Sequence, residues 1–80
     1  MKDYIATFHT HLAALMTSRT LTGLGVQARM MPVPRKLSSS CGTCVRYSAE
    51  DPCLDRMDED VEAVYEMHST EEYTCLLEHE

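Results

Sequence analysis

The 80-residue chain has no tryptophan, a single phenylalanine, and no apolar run near the ~20 residues that a membrane-spanning helix needs. It also lacks a Walker loop, a GxGxxG string and a Ser-His-Asp arrangement, which removes the common phosphate-binding and hydrolytic motifs. A chain of this length forms one small domain, residues 1–80, with a thin core. A large enzyme cavity is therefore not expected.

Acidic side chains are absent from residues 4–49, which carry five basic ones, whereas residues 50–80 carry twelve acids and one base. The acidic part suits a solvated face, and the basic part suits the surroundings of an anion or a thiolate. The overall charge is −6, and no aromatic residues interleave with the basic ones. Nucleic acid is therefore not expected as a partner.

The first residues do not resemble an export signal, because no continuous apolar stretch follows Met1–Asp3. We therefore expect a cytoplasmic protein, without a membrane partner, whose thiols stay reduced. Four cysteines in such a chain predict metal, redox or sulfur-transfer chemistry rather than disulfides.

Hydrophobic periodicity predicts an α+β domain of the ferredoxin-like, split β-α-β-β-α-β type. Strands are predicted at residues 4–8, 26–31, 43–47 and 73–77. A first helix begins at Thr10, has Leu12, Leu15 and Met16 on its apolar stripe, and ends at Gly23 or Gly25. A second, acidic helix begins at Asp51-Pro52, and its apolar stripe is Leu54, Met57, Val61, Val64, Tyr65 and His68.

The most informative segment is the tetrapeptide Cys41–Cys44, whose CxxC spacing favours the thiolate of the first cysteine. Nearby cations and loop amides could form a nest for that anion. Beside Arg35, the candidate anion-binding residues are Lys36, Ser38, Ser39, Ser40, Gly42 and Arg46.

Three other interpretations of the tetrapeptide stay open. The two thiols could simply be buried at a strand end, or act as a thiol–disulfide oxidoreductase. They could also bind zinc as part of a binding or adaptor module, with His9 and His11 as the remaining ligands, although no second CxxC pair is present.

Residues 31–42, with the sequence MPVPRKLSSSCG, resemble the selenium/sulfur (Se/S) carrier protein-like family, a group of small domains of unknown function. The shared pattern is an aliphatic strand, Pro-x-Pro-Arg, a hydrophobic residue, a serine-rich step and Cys-Gly. The likeness extends over residues 4–47 and covers the acidic segment only loosely. Cys44 is an addition to the pattern.

The resemblance implies a carrier or transfer domain, rather than a stand-alone enzyme, that needs no cofactor. Cys41 would hold a persulfide or perselenide, with Arg35 supporting its anionic form. We add the hypothesis that Cys44 is a resolving thiol, which releases the cargo by forming a disulfide. The expected partners are sulfur or selenium donor and acceptor proteins, such as a desulfurase, that dock on the acidic helix.

Overall fold

The computed structural model describes residues 1–69 and 71–79, so Thr70 and Glu80 lie outside the described residues. This part of the chain folds into one α-helix packed on a five-stranded sheet. In chain order the elements are β1 (Lys2–Phe8), α1 (His11–Gly23), β2 (Gln27–Pro32), β3 (Thr43–Ala49), a 3-10 turn (Leu54–Arg56), β4 (Val61–Met67) and β5 (Tyr73–Glu78). The prediction of a small α+β domain is confirmed.

The sheet has the strand order β2-β3-β1-β4-β5, and every neighbouring pair is antiparallel. The first strand in sequence therefore lies in the centre. β1 and β2 are both antiparallel to β3, which lies between them, so they run parallel to each other, as the crossover through α1 requires. The strands predicted at residues 4–8, 26–31, 43–47 and 73–77 are all present.

Helix α1 begins where the sequence predicts. Thr10 is its N-cap, and its hydroxyl accepts a hydrogen bond from the Ala13 amide at 3.1 Å. At the other end, Gly25 takes the left-handed φ of +86° that stops the helix. The predicted apolar stripe is wrong, because Leu12 and Met16 are exposed. The helix instead packs on the sheet through a face of mostly small residues: Ala13, Ala14, Thr17 and Leu21.

The second predicted helix is wrong, and so is the ferredoxin-like element order that depends on it. The segment forms only the short 3-10 turn and then strand β4. Thr7 pairs with Ala63 but Phe8 pairs with Val61, so Glu62 is an extra residue, a β-bulge. The bulge shifts the alternation by one residue. Val61 and Val64 therefore both reach the core although they are three apart, which imitates helical spacing.

The core lies between α1 and the face of the sheet that the helix covers. Tyr4 and Tyr47, on neighbouring strands, stack there with ring centroids 5.2 Å apart. Phe8 and Val45 are also fully buried in this cluster, and each such side chain contributes roughly 1.5–3 kcal/mol. This packing fixes the ends of β1 and β3, which carry the site described next. Within residues 1–69 and 71–79, no helix has the length and hydropathy needed to cross a bilayer.

Candidate functional site: the Cys41 loop

The serine-rich loop, residues 33–42, connects β2 to β3 and lies at the end of the sheet where β1 finishes. Its base is closed by a hydrogen bond from the Val33 amide to the Gly42 carbonyl oxygen, at 3.2 Å. Gly42 has a φ of +73°, a left-handed conformation that favours glycine, and it turns the chain into β3. Cys41 is thereby held two residues before Thr43, the first residue of the core strand β3.

The Cys41 thiol is free and half-buried against the end of β1. Its sulfur lies 3.3 Å from the carbonyl oxygen of Phe8, 3.5 Å from that of Thr43 and 3.8 Å from Ser39 Oγ. Carbonyl oxygens accept hydrogen bonds, so the Cys41 thiol is the donor in its contacts with Phe8 and Thr43. Among the described residues, no amide or guanidinium N–H donates to this sulfur, so the expected cradle of cations and amides is not formed around it in this conformation.

The loop donors bind a different anion, the carboxylate of Glu62. The Ser40 amide donates to Glu62 Oε1 at 2.8 Å, and the Ser40 hydroxyl donates to Oε2 at 3.1 Å. The Ser39 hydroxyl lies 2.9 Å from Oε1 and 2.8 Å from the Phe8 carbonyl oxygen, and shares its proton between them. We call these contacts the Glu62 clasp. The serine step therefore binds an anion in this structure, and that anion is the side chain of Glu62 in the same domain.

Hydrogen bonding decides the protonation state of Glu62. Partial burial by itself would raise the pKa of this carboxyl group, but the donors of Ser40 and Ser39 outweigh that effect, and the pKa is lowered overall. His9 adds to the lowering, with its Nδ1 3.7 Å from Glu62 Oε2, an ion pair when the imidazole is protonated. Glu62 is therefore a carboxylate at neutral pH.

The predicted cations do not gather around Cys41. Arg35 and Lys36 occupy the corners of a tight turn, closed by a 3.0 Å hydrogen bond from the Leu37 amide to the Pro34 carbonyl oxygen, and both side chains are exposed. Within the described part of the chain, neither forms a salt bridge.

The remaining anion-binding candidates are split between two places. Arg46 lies further along β3 and points toward the beginning of β1, where its Nη2 is 3.7 Å from Asp3 Oδ2. Ser38 is exposed in the loop, next to the clasp residues. The structure therefore assembles Ser39 and Ser40 near Cys41, but not Arg46.

Cys44 differs from Cys41 in its environment. Its side chain is fully buried on β3, with the sulfur 3.8 Å from the Pro32 carbonyl oxygen. Burial, followed by the nearby Cys41, raises the pKa of this thiol from 9.0 to about 11. These properties do not suit a resolving thiol, which must attack as a thiolate.

The two histidines proposed as zinc ligands have other contacts. His11 Nδ1 lies 3.4 Å from Thr43 Oγ1, and His9 faces Glu62. Across residues 1–69 and 71–79, no three side chains of the histidine, cysteine or acidic type are grouped so that they could hold a metal ion. The alternative of a Cys41, Cys44, His9 and His11 zinc site therefore receives no support from the geometry.

Sequence reasoning missed Glu62, because it treated this residue as one more solvated acid of a helix. The signal that could have located it is the presence of the β-prone residues Val61, Val64 and Tyr65 within residues 61–67, which is also compatible with a strand. The bulge itself leaves no mark in a single sequence.

Comparison with known proteins identifies the class to which this chain belongs. The model of the family described as "Putative Se/S carrier protein-like" matches residues 3–67, so the chain belongs to this family. The matched region includes the serine-rich loop, Cys41 and Glu62.

A curated relative is "Uncharacterized protein YtiA" of Escherichia coli (strain K12), which is 31% identical over 45 residues. The aligned region covers 56% of this chain and 53% of the relative, so the chain spans about half of the length of that protein. No solved structure matches the chain at a comparable level of significance.

Proposed function

We propose that this domain carries or transfers selenium or sulfur as a perselenide or persulfide on Cys41. The observation that carries the proposal is the contrast between the two neighbouring thiols. Cys41 is half-exposed in the serine-rich loop, within the region that matches the family, whereas Cys44 is sealed in the sheet. A sulfur that reacts first with a donor protein and then with an acceptor protein must be accessible, as Cys41 is and Cys44 is not.

Loading requires no oxidant. The Cys41 thiolate attacks the terminal sulfur of a donor persulfide, R–S–SH, so that the Cys41–sulfur bond forms and the donor S–S bond breaks. The products are Cys41–S–SH and the donor thiolate R–S⁻. Transfer repeats the exchange with an acceptor thiolate, which takes the terminal sulfur and leaves Cys41 as a thiolate.

The same chemistry distinguishes a carrier from an oxidoreductase. If Cys44 attacked the inner sulfur, HS⁻ would leave and a Cys41–Cys44 disulfide would form, which a reductant must then reopen. The burial of Cys44 and its raised pKa argue against that step. We therefore propose that an external acceptor, rather than Cys44, takes the cargo. The partners in this scheme are a persulfide donor, such as a desulfurase, and an acceptor protein.

The test is to incubate the reduced protein with a persulfide-loaded desulfurase and to measure its intact mass. We expect a gain of one sulfur atom that a thiol reductant removes. Cys41→Ser abolishes the gain, whereas Cys75→Ser, which removes an exposed thiol on β5, retains it. A wild-type protein without an adduct, or an adduct that persists in Cys41→Ser, refutes the proposal.

A further inference from the structure

The β-bulge explains why an acid from β4 reaches the serine-rich loop. Glu62 is the extra residue between the Phe8–Val61 and Thr7–Ala63 pairs, so its side chain leaves the regular alternation of the strand. Bulges often redirect a side chain in this way beside functional sites. Here the redirected carboxylate meets the step immediately before Cys41.

The Glu62 clasp links this bulge to the thiol through short contacts. Both carboxylate oxygens are used, and one of the three donors is a backbone amide, so the clasp fixes the main chain as well as two hydroxyl groups. The Ser39 hydroxyl and the Cys41 thiol approach the same acceptor, the Phe8 carbonyl oxygen. Movement of the serine step would therefore change the position of the sulfur.

We propose that Glu62 is a positioning residue for Cys41: its carboxylate holds the Ser39-Ser40 step and so keeps the thiol half-buried against the end of β1. The inference deepens the proposed carrier function and rests on it for its biological meaning. Opening the clasp frees the Cys41 sulfur from its carbonyl acceptors and exposes it to a partner. Glu62 acts through the loop and does not itself take part in sulfur exchange.

Among residues 1–69 and 71–79, the titratable side chain that faces Glu62 from a neighbouring element is His9. His9 approaches from the turn between β1 and α1, and Ser39, which also contacts the Cys41 sulfur, approaches from the loop. On the same strand, burial raises the pKa of Tyr65, and the negative charge of Glu62 adds a smaller effect. The chain after β5 contributes a backbone contact, from the His79 amide to the Glu62 carbonyl oxygen at 2.7 Å. Hydrogen bonds to the carboxylate lower its pKa, so the clasp is complete at neutral pH and is lost when acid protonates Glu62.

The experiment measures the rate at which Cys41 reacts with iodoacetamide, a small uncharged reagent, followed by peptide mass spectrometry. In Glu62→Gln the negative charge is lost and one acceptor oxygen becomes an NH₂ group, so the charge-assisted hydrogen bonds of the clasp are replaced by weaker neutral ones. We expect Cys41 to react about tenfold faster than in the wild type, which corresponds to about 1.4 kcal/mol. Glu66→Gln is the matched control, because Glu66 is on the same strand but pairs with Lys2 and His68, and we expect no change.

Glu62→Asp separates positioning from simple charge repulsion. It keeps the negative charge but shortens the side chain by one methylene group, so the three donors can no longer be met together. Positioning predicts that Cys41 in Glu62→Asp reacts nearly as fast as in Glu62→Gln. A rate near the wild-type value in either variant overturns the proposal. In every variant Cys44 must stay unreactive, which confirms that the sheet is intact.

A second readout reports the clasp directly. The ¹H–¹⁵N signal of the Ser40 amide should shift as Glu62 titrates in acid, with a midpoint below the usual range for glutamate. Glu62→Gln should abolish this shift, and a signal that titrates unchanged in the variant contradicts the proposal. Neither readout uses a persulfide, so a failure of sulfur loading leaves the positioning result standing, and the reverse also holds.

Discussion

The reactivity of Cys44 offers a quantitative test of the site. A thiol reacts with an alkylating reagent as the thiolate, and burial raises the pKa of Cys44 from 9.0 to about 11. Two units correspond to roughly 100-fold less thiolate at any pH well below both values. Its zero exposure adds a second barrier, since the reagent must wait for the sheet to open.

The assay is differential alkylation of the folded protein with iodoacetamide between pH 7 and 8, with each cysteine quantified as a peptide. We expect Cys44 to react at least ~100-fold more slowly than Cys75, which is exposed on the edge strand β5. In urea the two rates should converge, because unfolding removes both the burial and the pKa shift. Equal rates in the folded protein would show that Cys44 is accessible, and would restore it as a candidate resolving thiol.

Three further predictions concern stability, each measured as the free energy of unfolding in urea. Gly42→Ala should destabilise the fold by about 1–2 kcal/mol, because the φ of +73° strains any residue with a Cβ atom. Gly23→Ala also has open space for the Cβ but lies in helix α1, so it should be neutral or stabilising, and equal effects of the two changes would contradict the backbone argument. Tyr47→Phe should cost about 1–3 kcal/mol by leaving the Pro52 carbonyl oxygen without its donor, and a neutral result would count against this hydrogen bond. Burial raises the pKa of Tyr4 and Tyr47, so the stability gained from burying their neutral phenol groups is complete below pH ~10 and is lost as the pH rises through the pKa values of the folded protein. A free energy of unfolding that stays constant from pH 8 to 11 would contradict this.

The first half of the fold could be predicted from the sequence because its signals are local. The Thr10 hydroxyl caps α1, Gly25 stops it, and the β-prone runs on either side form strands. The face that α1 buries could not be predicted in the same way. Alanines fit closely against the sheet, whereas the larger Leu12 and Met16 remain exposed.

The second half was mispredicted because a bulge is not a local signal. Val61 and Val64 share a face only because the pairing register of β4 shifts between Thr7 and Phe8 of β1, a strand more than fifty residues earlier in the chain. The sequence predicts that Cys41 lies in a recognisable loop. It does not predict that the Cys41 sulfur contacts the Phe8 carbonyl oxygen or that the loop binds Glu62, because both contacts depend on strand register. Sequence proximity likewise placed Arg46 beside Cys41, although strand direction takes its side chain to Asp3.

The central place of β1 affects how the molecule can assemble as it emerges from the ribosome. β1 has no partner until Thr43–Ala49 has been synthesised, and its other edge stays open until Val61–Met67 follows. Only α1 can form early from local contacts. The nascent chain therefore holds β1 as an unpaired strand until both of its partner strands have been made, and the sheet closes around β1 only then.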